Sequence, residues 1–243
     1  LAEMETLTEK EEMLCYMPMA WVGDHLFVVQ GVVLGFTVSC PESGETVMSD
    51  LREIGPTYYF SPPAIFESLL TSMTIRMENA GVLKRKMFNY FISVAKRVGV
   101  DILEGRSVSL VDRLLYRLGD VFVYGPLRNN LGLSRVRIAY TAGAPLGPEV
   151  FNFYRGIGIN LKQLYGQTEC SAYACIQRDS DVRPDTVGPP ADDCDIKIEA
   201  SGEVLIKSPG TFLGYLKNED ATKETKDADG WLHTGDAGIM TDE

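Results

Sequence analysis

Tyr165-Gly166-Gln167-Thr168-Glu169 sets a phenol ring, a bare backbone, an amide, a hydroxyl and a carboxylate side by side. Ile157, Ile159 and Leu161 alternate ahead of it as a buried strand does, so the polar cluster falls where that strand must end. Ligands of open α/β sheets bind at such strand ends. There Gly166 lets backbone approach a ligand, Thr168 offers a hydroxyl to a phosphate oxygen, and Glu169 offers a hard oxygen to a divalent cation. The stretch reads as a phosphate-and-magnesium corner. Taken alone it equally fits an ordinary helix start, with a capping hydroxyl and a first-turn acid.

Upstream lies Thr141-Ala142-Gly143-Ala144-Pro145, and downstream lie Gly202-Glu203-Val204, Gly214-Tyr215 and Trp231-Leu232-His233-Thr234-Gly235-Asp236. In this order the segments resemble the adenylate-forming superfamily, which activates carboxylates with ATP, and within it the long-chain fatty acyl-CoA synthetases. The resemblance runs over essentially the whole chain and implies the central part of the large N-terminal domain of such an enzyme. The reaction it implies is attack of a fatty acid carboxylate on the α-phosphate of ATP with loss of pyrophosphate, then transfer of the acyl group from the adenylate to coenzyme A. Chemistry of this kind asks the protein to position groups and neutralise charge.

The resemblance also implies the parts. Tyr165 stacks on adenine opposite the Gly143-Ala144-Pro145 strip, with Gly166 and Gln167 beside the nucleotide. Thr168 holds the α-phosphate, Glu169 binds Mg²⁺, and Asp236 accepts both ribose hydroxyls, which suits a carboxylate with two acceptor oxygens. Trp21 stands where the family places an aromatic residue beside the acyl carboxylate. Many fatty acyl-CoA synthetases have His there, so Trp21 is a departure that bears on acid specificity. The catalytic set is therefore Thr168, Glu169 and Trp21. On the residues alone, Trp21 also fits a core position, Asp236 a turn and Tyr165 a plain strand end, and His233 reads as structural.

A chain of 243 residues, 45% of them apolar, can bury a large core. Lys and Arg total 23 against 34 Asp and Glu, a formal charge of −11 with no basic stripe, so nucleic acid is not an expected partner. Backbone amides and a metal ion let an acidic protein hold phosphates all the same. The five cysteines, Cys15, Cys40, Cys170, Cys175 and Cys194, include no C-x-x-C pair and read as reduced intracellular thiols. The apolar run Leu26 to Val38 is interrupted by Gln30, Gly31 and Gly35 and falls short of the roughly 20 residues that cross a bilayer. With no secretory signal at Leu1 to Glu12, the chain is expected to be cytoplasmic.

Leu14 to Met17 predicts a strand, Asp24 to Leu34 a helix stopped by Gly35, and Phe36 to Cys40 a second strand. A helix over Thr46 to Glu53 and a strand over Thr57 to Phe60 follow, so the fold class is α/β, a layered and mostly parallel sheet with helices on both faces. Ser61-Pro62-Pro63 signals a helix start with Ser61 as cap. Three apolar stripes, Ile65 to Met73, Phe88 to Val98 and Leu114 to Leu118, then make a helical insert whose stripes read as core. Lys84, Arg85 and Lys86 beside Met87 and Phe88 suit peripheral contact with an anionic membrane. Val136, Ile138 and Tyr140 make the strand that delivers Thr141 to Pro145, ahead of a helix from Pro148-Glu149. After Arg178 a polar, Pro-rich connection leads to a hairpin of Ile196 and Ile198, the turn Ala200-Ser201-Gly202, and Val204 to Lys207. The expected organisation is an α/β lobe over 1–180 and a small β-rich, barrel-like lobe over 181–243.

The resemblance further implies a Gly-, Ser- and Thr-rich loop with its lysine before residue 1 and a lysine-bearing domain after residue 243. The chain is accordingly expected to be folded but inactive alone. Two other readings share the nucleotide residues: another adenylate-forming ligase, either an aryl-acid ligase or a peptide-synthetase adenylation domain, and a non-catalytic nucleotide-binding module. The insert between Pro62 and Leu131 and the Met- and Phe-rich composition favour the fatty acid.

Overall fold

The computed structural model describes residues 1–179 and 181–241; Ser180, at the expected lobe boundary, lies outside the described residues. β1 (Glu12–Leu14), α1 (Val22–Leu34), β2 (Thr37–Ser39), α2 (Val47–Ile54) and β3 (Tyr58–Phe60) form two successive strand-helix-strand units. β1 precedes most of the apolar run Leu14 to Met17, because pairing with β2 runs in register from Glu12 and Thr37. Gly35 closes α1 in the left-handed conformation, as its sequence predicts. α1 starts two residues before Asp24, with Trp21 at its N-cap. Asp24 turns inward instead, where its carboxylate accepts the Met17 N–H at 2.9 Å.

α3 (Pro63–Glu78) begins on Pro63, whose missing N–H is no loss in a first turn. Ser61 does not cap it. Pro62 holds the N-cap, and the buried Ser61 hydroxyl receives the Tyr16 hydroxyl proton at 2.7 Å. α4 (Val82–Val94) continues through a π turn at Ala95–Gly99 into α5 (Val100–Leu103). α6 (Leu110–Gly119) continues likewise through Asp120–Tyr124 into α7 (Gly125–Asn130). The insert docks on the sheet layer by a glycine-to-glycine crossing, since a Cβ at Gly99 would lie 2.1 Å from the Gly156 carbonyl oxygen.

β4 (Ile138–Thr141), α8 (Pro148–Gly156), β5 (Leu161–Tyr165) and the two-residue β6 (Cys175–Ile176) complete the larger sheet. Of the strand expected over Ile157, Ile159 and Leu161, only Leu161 is extended. Ile157 and Ile159 lie in the turn that ends α8 and the paired strand starts at Leu161, while both isoleucines are fully buried. Their alternation records burial, without extended pairing. Among the described residues the sheet order is β2-β1-β3-β4-β5-β6, parallel throughout except for the β5–β6 pair. Parallel pairs are joined by helical crossovers that cover the sheet, and apolar clusters accordingly form, one gathering Phe66, Tyr154 and Phe151 and the other Phe27, Tyr58 and Phe36.

β7 (Asp195–Ile198), β8 (Glu203–Lys207), α9 (Glu219–Thr225) and β9 (Leu232–Ala237) follow, and the three strands form a separate antiparallel sheet. Thr234-Gly235-Asp236 is thus part of β9, where a turn was expected. Gly235 takes φ +71° there and the pairing with β8 shifts register between Glu203 and Leu205, so the strand bends without leaving the sheet. A buried ionic knot braces β5 in the larger sheet: Lys162 Nζ lies 2.6 Å from Glu5 Oε1 and 2.6 Å from Asp179 Oδ1. Tyr140 donates to the same Glu5 carboxylate, which leaves the buried lysine paired, as burial of a charge demands.

Candidate active site

Parallel strands send their C-terminal ends to one edge of the sheet, and that edge collects most of the residues singled out by chemistry. Beyond β1 comes Trp21, beyond β4 come Gly143, Ala144 and Pro145, and β5 itself ends on Tyr165, followed by Gly166 to Glu169. Thr141 pairs with Gln163, two residues short of Tyr165, so the strip and the ring emerge from neighbouring strands. Gly143 has φ +89° with open space where a Cβ would stand, and Ala144 and Pro145 are exposed with it. Trp21 is 52% exposed, which removes the core reading for it.

Gly166 is held by the chain itself. A Cβ there would meet the Ala172 carbonyl oxygen at 2.5 Å and the Tyr173 Cα at 2.6 Å, so only glycine lets the backbone double back this tightly. Thr168 to Cys170 then form one 3₁₀ turn, with Gln167 at its N-cap, rather than the start of a long helix. Thr168 is exposed and Glu169 half-buried. The buried Cys170 thiol donates to the Gln167 carbonyl at 3.2 Å, a packing role that leaves it unsuited to nucleophilic attack.

The smaller sheet's lobe meets this turn. Phe212 N–H donates to the Glu169 carbonyl at 2.7 Å, and Ser171 donates to the Gly210 carbonyl at 2.7 Å. The Tyr215 hydroxyl donates to Glu169 Oε1 at 2.7 Å, and that bond raises the phenol above its ordinary pKa because the carboxylate stabilises the protonated form. Tyr215 belongs to a segment already noted in the sequence, but residue type alone gave it no task. Among the described residues no other group bonds the Glu169 carboxylate, so its second oxygen is free for a ligand.

Asp236 joins the same edge. The Tyr165 hydroxyl donates to Asp236 Oδ2 at 2.8 Å. Burial first and the nearby Asp236 carboxylate with it hold the Tyr165 phenol well above its usual range, so it is a proton donor at any physiological pH. Asp236 is aimed by its neighbours: its N–H donates to Thr234 Oγ1 at 3.1 Å, Thr234 donates to the Val204 carbonyl at 2.7 Å, and Gly235 N–H donates to Glu203 Oε1 at 2.9 Å. His233 sits beside Asp227 at 3.8 Å and Glu203 at 3.5 Å, in the latter case on the other oxygen of the carboxylate that receives Gly235 N–H. Thr141 is the residue the sequence reading passed over: its Oγ1 is buried at the base of the strip with no hydrogen-bond partner among the described residues.

Among the described residues no cluster of three or more His, Cys, Asp or Glu side chains is placed to hold a metal by itself. A single carboxylate is nevertheless the usual protein share of a magnesium site in which phosphate oxygens and waters supply the other ligands. Glu169 fits that share.

The sequence profile of the AMP-binding enzymes matches residues 1–216. Among curated proteins, the chain is 28% identical to the peroxisomal long chain acyl-CoA synthetase 7 of Arabidopsis thaliana, across 93% of this chain and 33% of that protein. It is 31% identical to the long-chain-fatty-acid–CoA ligase FadD15 of Mycobacterium bovis, across 98% of this chain and 39% of that protein. The chain thus spans little more than a third of these relatives. Among solved structures, o-succinylbenzoate coenzyme A synthetase of Bacillus subtilis, in complex with ATP and magnesium ion, superposes with a TM-score of 0.63 at 18% identity, over 99% of this chain and 42% of that one. VinN superposes with a TM-score of 0.64 at 19% identity, over 99% of this chain and 50% of that one. These two share the fold.

Proposed function

The chain belongs to the family of AMP-binding enzymes, and we propose that it is the nucleotide-binding part of an adenylate-forming ligase that activates a long-chain fatty acid and passes it to coenzyme A. The observation that carries this reading is the Tyr165–Asp236 hydrogen bond, which joins the strand end of one sheet to the last strand of the other at the edge that also presents Gly143 to Pro145, Thr168 and Glu169. In this proposal residues 1–180 form the α/β lobe and 181–243 the β-rich lobe, with the nucleotide between them.

The Tyr165 ring and the Gly143-Ala144-Pro145 strip clamp adenine, Gly166 and Gln167 border it, and Asp236 accepts the ribose hydroxyls. Thr168 donates to the α-phosphate, where charge gathers as the acid's oxygen attacks and pyrophosphate departs. Glu169 would hold Mg²⁺, which when bound supplies charge neutralisation at the phosphates. Trp21, exposed at the N-cap of α1, walls the side where the acyl carboxylate enters. After adenylation the coenzyme A thiol attacks the acyl carbonyl and AMP leaves. A cytoplasmic location is part of the same proposal, and among the described residues no helix is long and apolar enough to cross a membrane.

An aryl-acid ligase is the second reading, favoured by one observation: Trp21 offers an exposed flat ring of the kind that stacks on an aromatic acid. Titrating the chain with sulfamoyl-adenosine esters carrying palmitoyl, benzoyl or aminoacyl groups, followed by calorimetry, separates the two. Tightest binding of the palmitoyl analogue is expected. Preference for the benzoyl analogue overturns the fatty acid in favour of the aryl acid, and no binding of any of them overturns the nucleotide site.

A further inference from the structure

The insert presents an apolar face that nothing in the described residues covers. Leu110, Val111, Leu114, Leu118, Val121 and Phe122 recur at the spacing that sets them along one side of the continuous helix formed by α6, the π turn and α7. They are exposed, from 40% at Leu118 to 82% at Leu110, while Tyr116, Gly119, Val123 and Tyr124 fill the buried side. Six large apolar side chains in one exposed stripe mark an interaction surface.

Charge identifies what it meets. Between Pro63 and Leu131 the sequence carries ten Lys and Arg against six Asp and Glu, a local surplus of basic charge in a chain whose net charge is −11. On α6, Arg113 and Arg117 stand one turn apart beside the stripe, exposed and without an ion-pair partner among the described residues. Other arginines nearby are engaged: Arg106 with Asp101 at 2.8 Å, Arg128 with Asp120 at 2.8 Å and Arg97 with Asp112 at 2.5 Å. Arg113 and Arg117 line a hollow of about 240 Å³ with Arg106 and Tyr116, and Arg117 also borders an adjoining hollow of about 470 Å³. Val136 and Gly158, which precede β4 and β5, border the second hollow, so it opens at the sheet edge opposite Thr168 and Gly143.

We propose that this face is a membrane-docking surface: the α6–α7 helix lies in the plane of an anionic phospholipid bilayer, its apolar stripe at the acyl boundary and Arg113 and Arg117 on headgroup phosphates. An amphipathic helix with one apolar side and flanking arginines binds such an interface through buried area and charge together. Guanidinium suits phosphate because its planar fork donates two parallel hydrogen bonds. The docking helix is not the one the sequence suggested: Lys84, Arg85 and Lys86 at the start of α4 add charge to the insert, and α6 supplies the apolar stripe. Docking there leaves the opposite sheet edge open to soluble ligands, and it does not depend on the ligase reading.

Flotation of the chain with phosphatidylcholine vesicles, with and without phosphatidylglycerol, tests it. Binding to the anionic vesicles alone is expected, weakening with added salt. Arg113→Ala with Arg117→Ala is expected to lower partitioning roughly tenfold or more, and Leu114→Gln with Val121→Gln to remove it, each with an unchanged circular dichroism spectrum. Because all four side chains are exposed, the two variants are expected to fold; should one lose its spectrum, the other decides. Equal binding to both vesicle types, binding to neither, or unchanged binding by a folded variant overturns the proposal. So does a lipid-independent dimer, seen by sedimentation and abolished by Leu114→Gln with Val121→Gln, which would assign the stripe to a second copy of the chain.

Discussion

The Tyr165 hydroxyl donates to Asp236 Oδ2 at 2.8 Å, across 71 positions of sequence and from one sheet to the other. The bond fixes both the plane of the ring and one oxygen of the carboxylate, so an adenine face and a ribose acceptor are set before a nucleotide arrives. Preorganisation of this kind removes part of the ordering entropy of binding. Asp236→Ala is expected to weaken AMP binding about 100-fold, since hydrogen bonds to a charged acceptor contribute about 1.5 to 3 kcal/mol each. Tyr165→Ala is expected to lose roughly tenfold through stacking. Tyr165→Phe keeps the ring and loses only the tether that presets it, so its loss should stay at a few-fold, below that of Tyr165→Ala. Calorimetric titration of the three variants with AMP checks the order, and a Tyr165→Phe loss as large as that of Asp236→Ala would mean the tether, not the ring, matters.

Lys162 lies buried between Glu5 and Asp179, at 2.6 Å from each, on the strand that ends at the site. Lys162→Met would leave the buried Glu5 without its cation, and breaking a buried pair from one side costs about 3 to 5 kcal/mol. The double variant Lys162→Met with Glu5→Leu should recover much of that loss, because the charge left without a partner, Asp179, is 69% exposed and keeps its water. Burial alone would raise the Asp179 carboxyl, but hydrogen bonds from Lys162 and Asn160 override it and hold the group below its usual pKa. A carboxyl whose folded value lies below its unfolded value of about 3.9 stabilises the fold above that pH, and the stabilisation fades as pH falls through the folded value. Urea midpoints for the parent chain should therefore drop below about pH 4, and Lys162→Met should show less of that drop.

Burial pushes the Cys15 and Cys175 thiols up to about 12, so both stay protonated at pH 8, while Cys40 is exposed. Only thiolate reacts readily with an aromatic disulfide. One fast equivalent at Cys40 is expected, with half-buried Cys194, whose thiol burial pushes up to about 11, reacting slowly and Cys15, Cys170 and Cys175 only after denaturation. Mass spectrometry of the early adduct identifies the site, and rapid labelling at Cys175 would show that the region beside Pro190 opens in the native state.

Local signals in the sequence located the helices and the sheet class well, because Gly35 and Pro63 act on their own backbone. They misplaced β5 by treating Ile157 and Ile159 as extended, since burial in a turn and burial in a strand leave the same alternation of residue types. The chemistry-bearing residues of the larger sheet were legible as a set, because strand ends of a parallel sheet share an edge whatever the side chains do. Contacts between lobes were not. Tyr215 meets Glu169 across 46 positions, and Asp236 reaches Tyr165 from a strand that the sequence reads as a turn. The buried Thr141 hydroxyl was equally silent, for a missing partner has no residue type to announce it.

The Tyr215 hydroxyl occupies Glu169 Oε1 at 2.7 Å, and a cation seeking both carboxylate oxygens must displace it. Tyr215 is 37% exposed and its backbone N–H is held by Thr222 Oγ1 at 2.9 Å, so the ring can swing into water while its main chain stays anchored. Tyr215→Phe removes the competing donor and retains the ring packed against Phe212, whose centroid lies 4.8 Å away. The variant is expected to bind Mg²⁺ with AMP-containing ligands more tightly, by about tenfold or more, because a hydrogen bond to a charged group, about 1.5 to 3 kcal/mol, no longer has to break. Glu169→Gln should abolish the metal dependence while leaving AMP affinity in the absence of Mg²⁺ nearly unchanged. Titrations with and without Mg²⁺ read both effects. If Tyr215→Phe instead lowers the metal-dependent affinity, the phenol orients the carboxylate for the ion rather than competing with it.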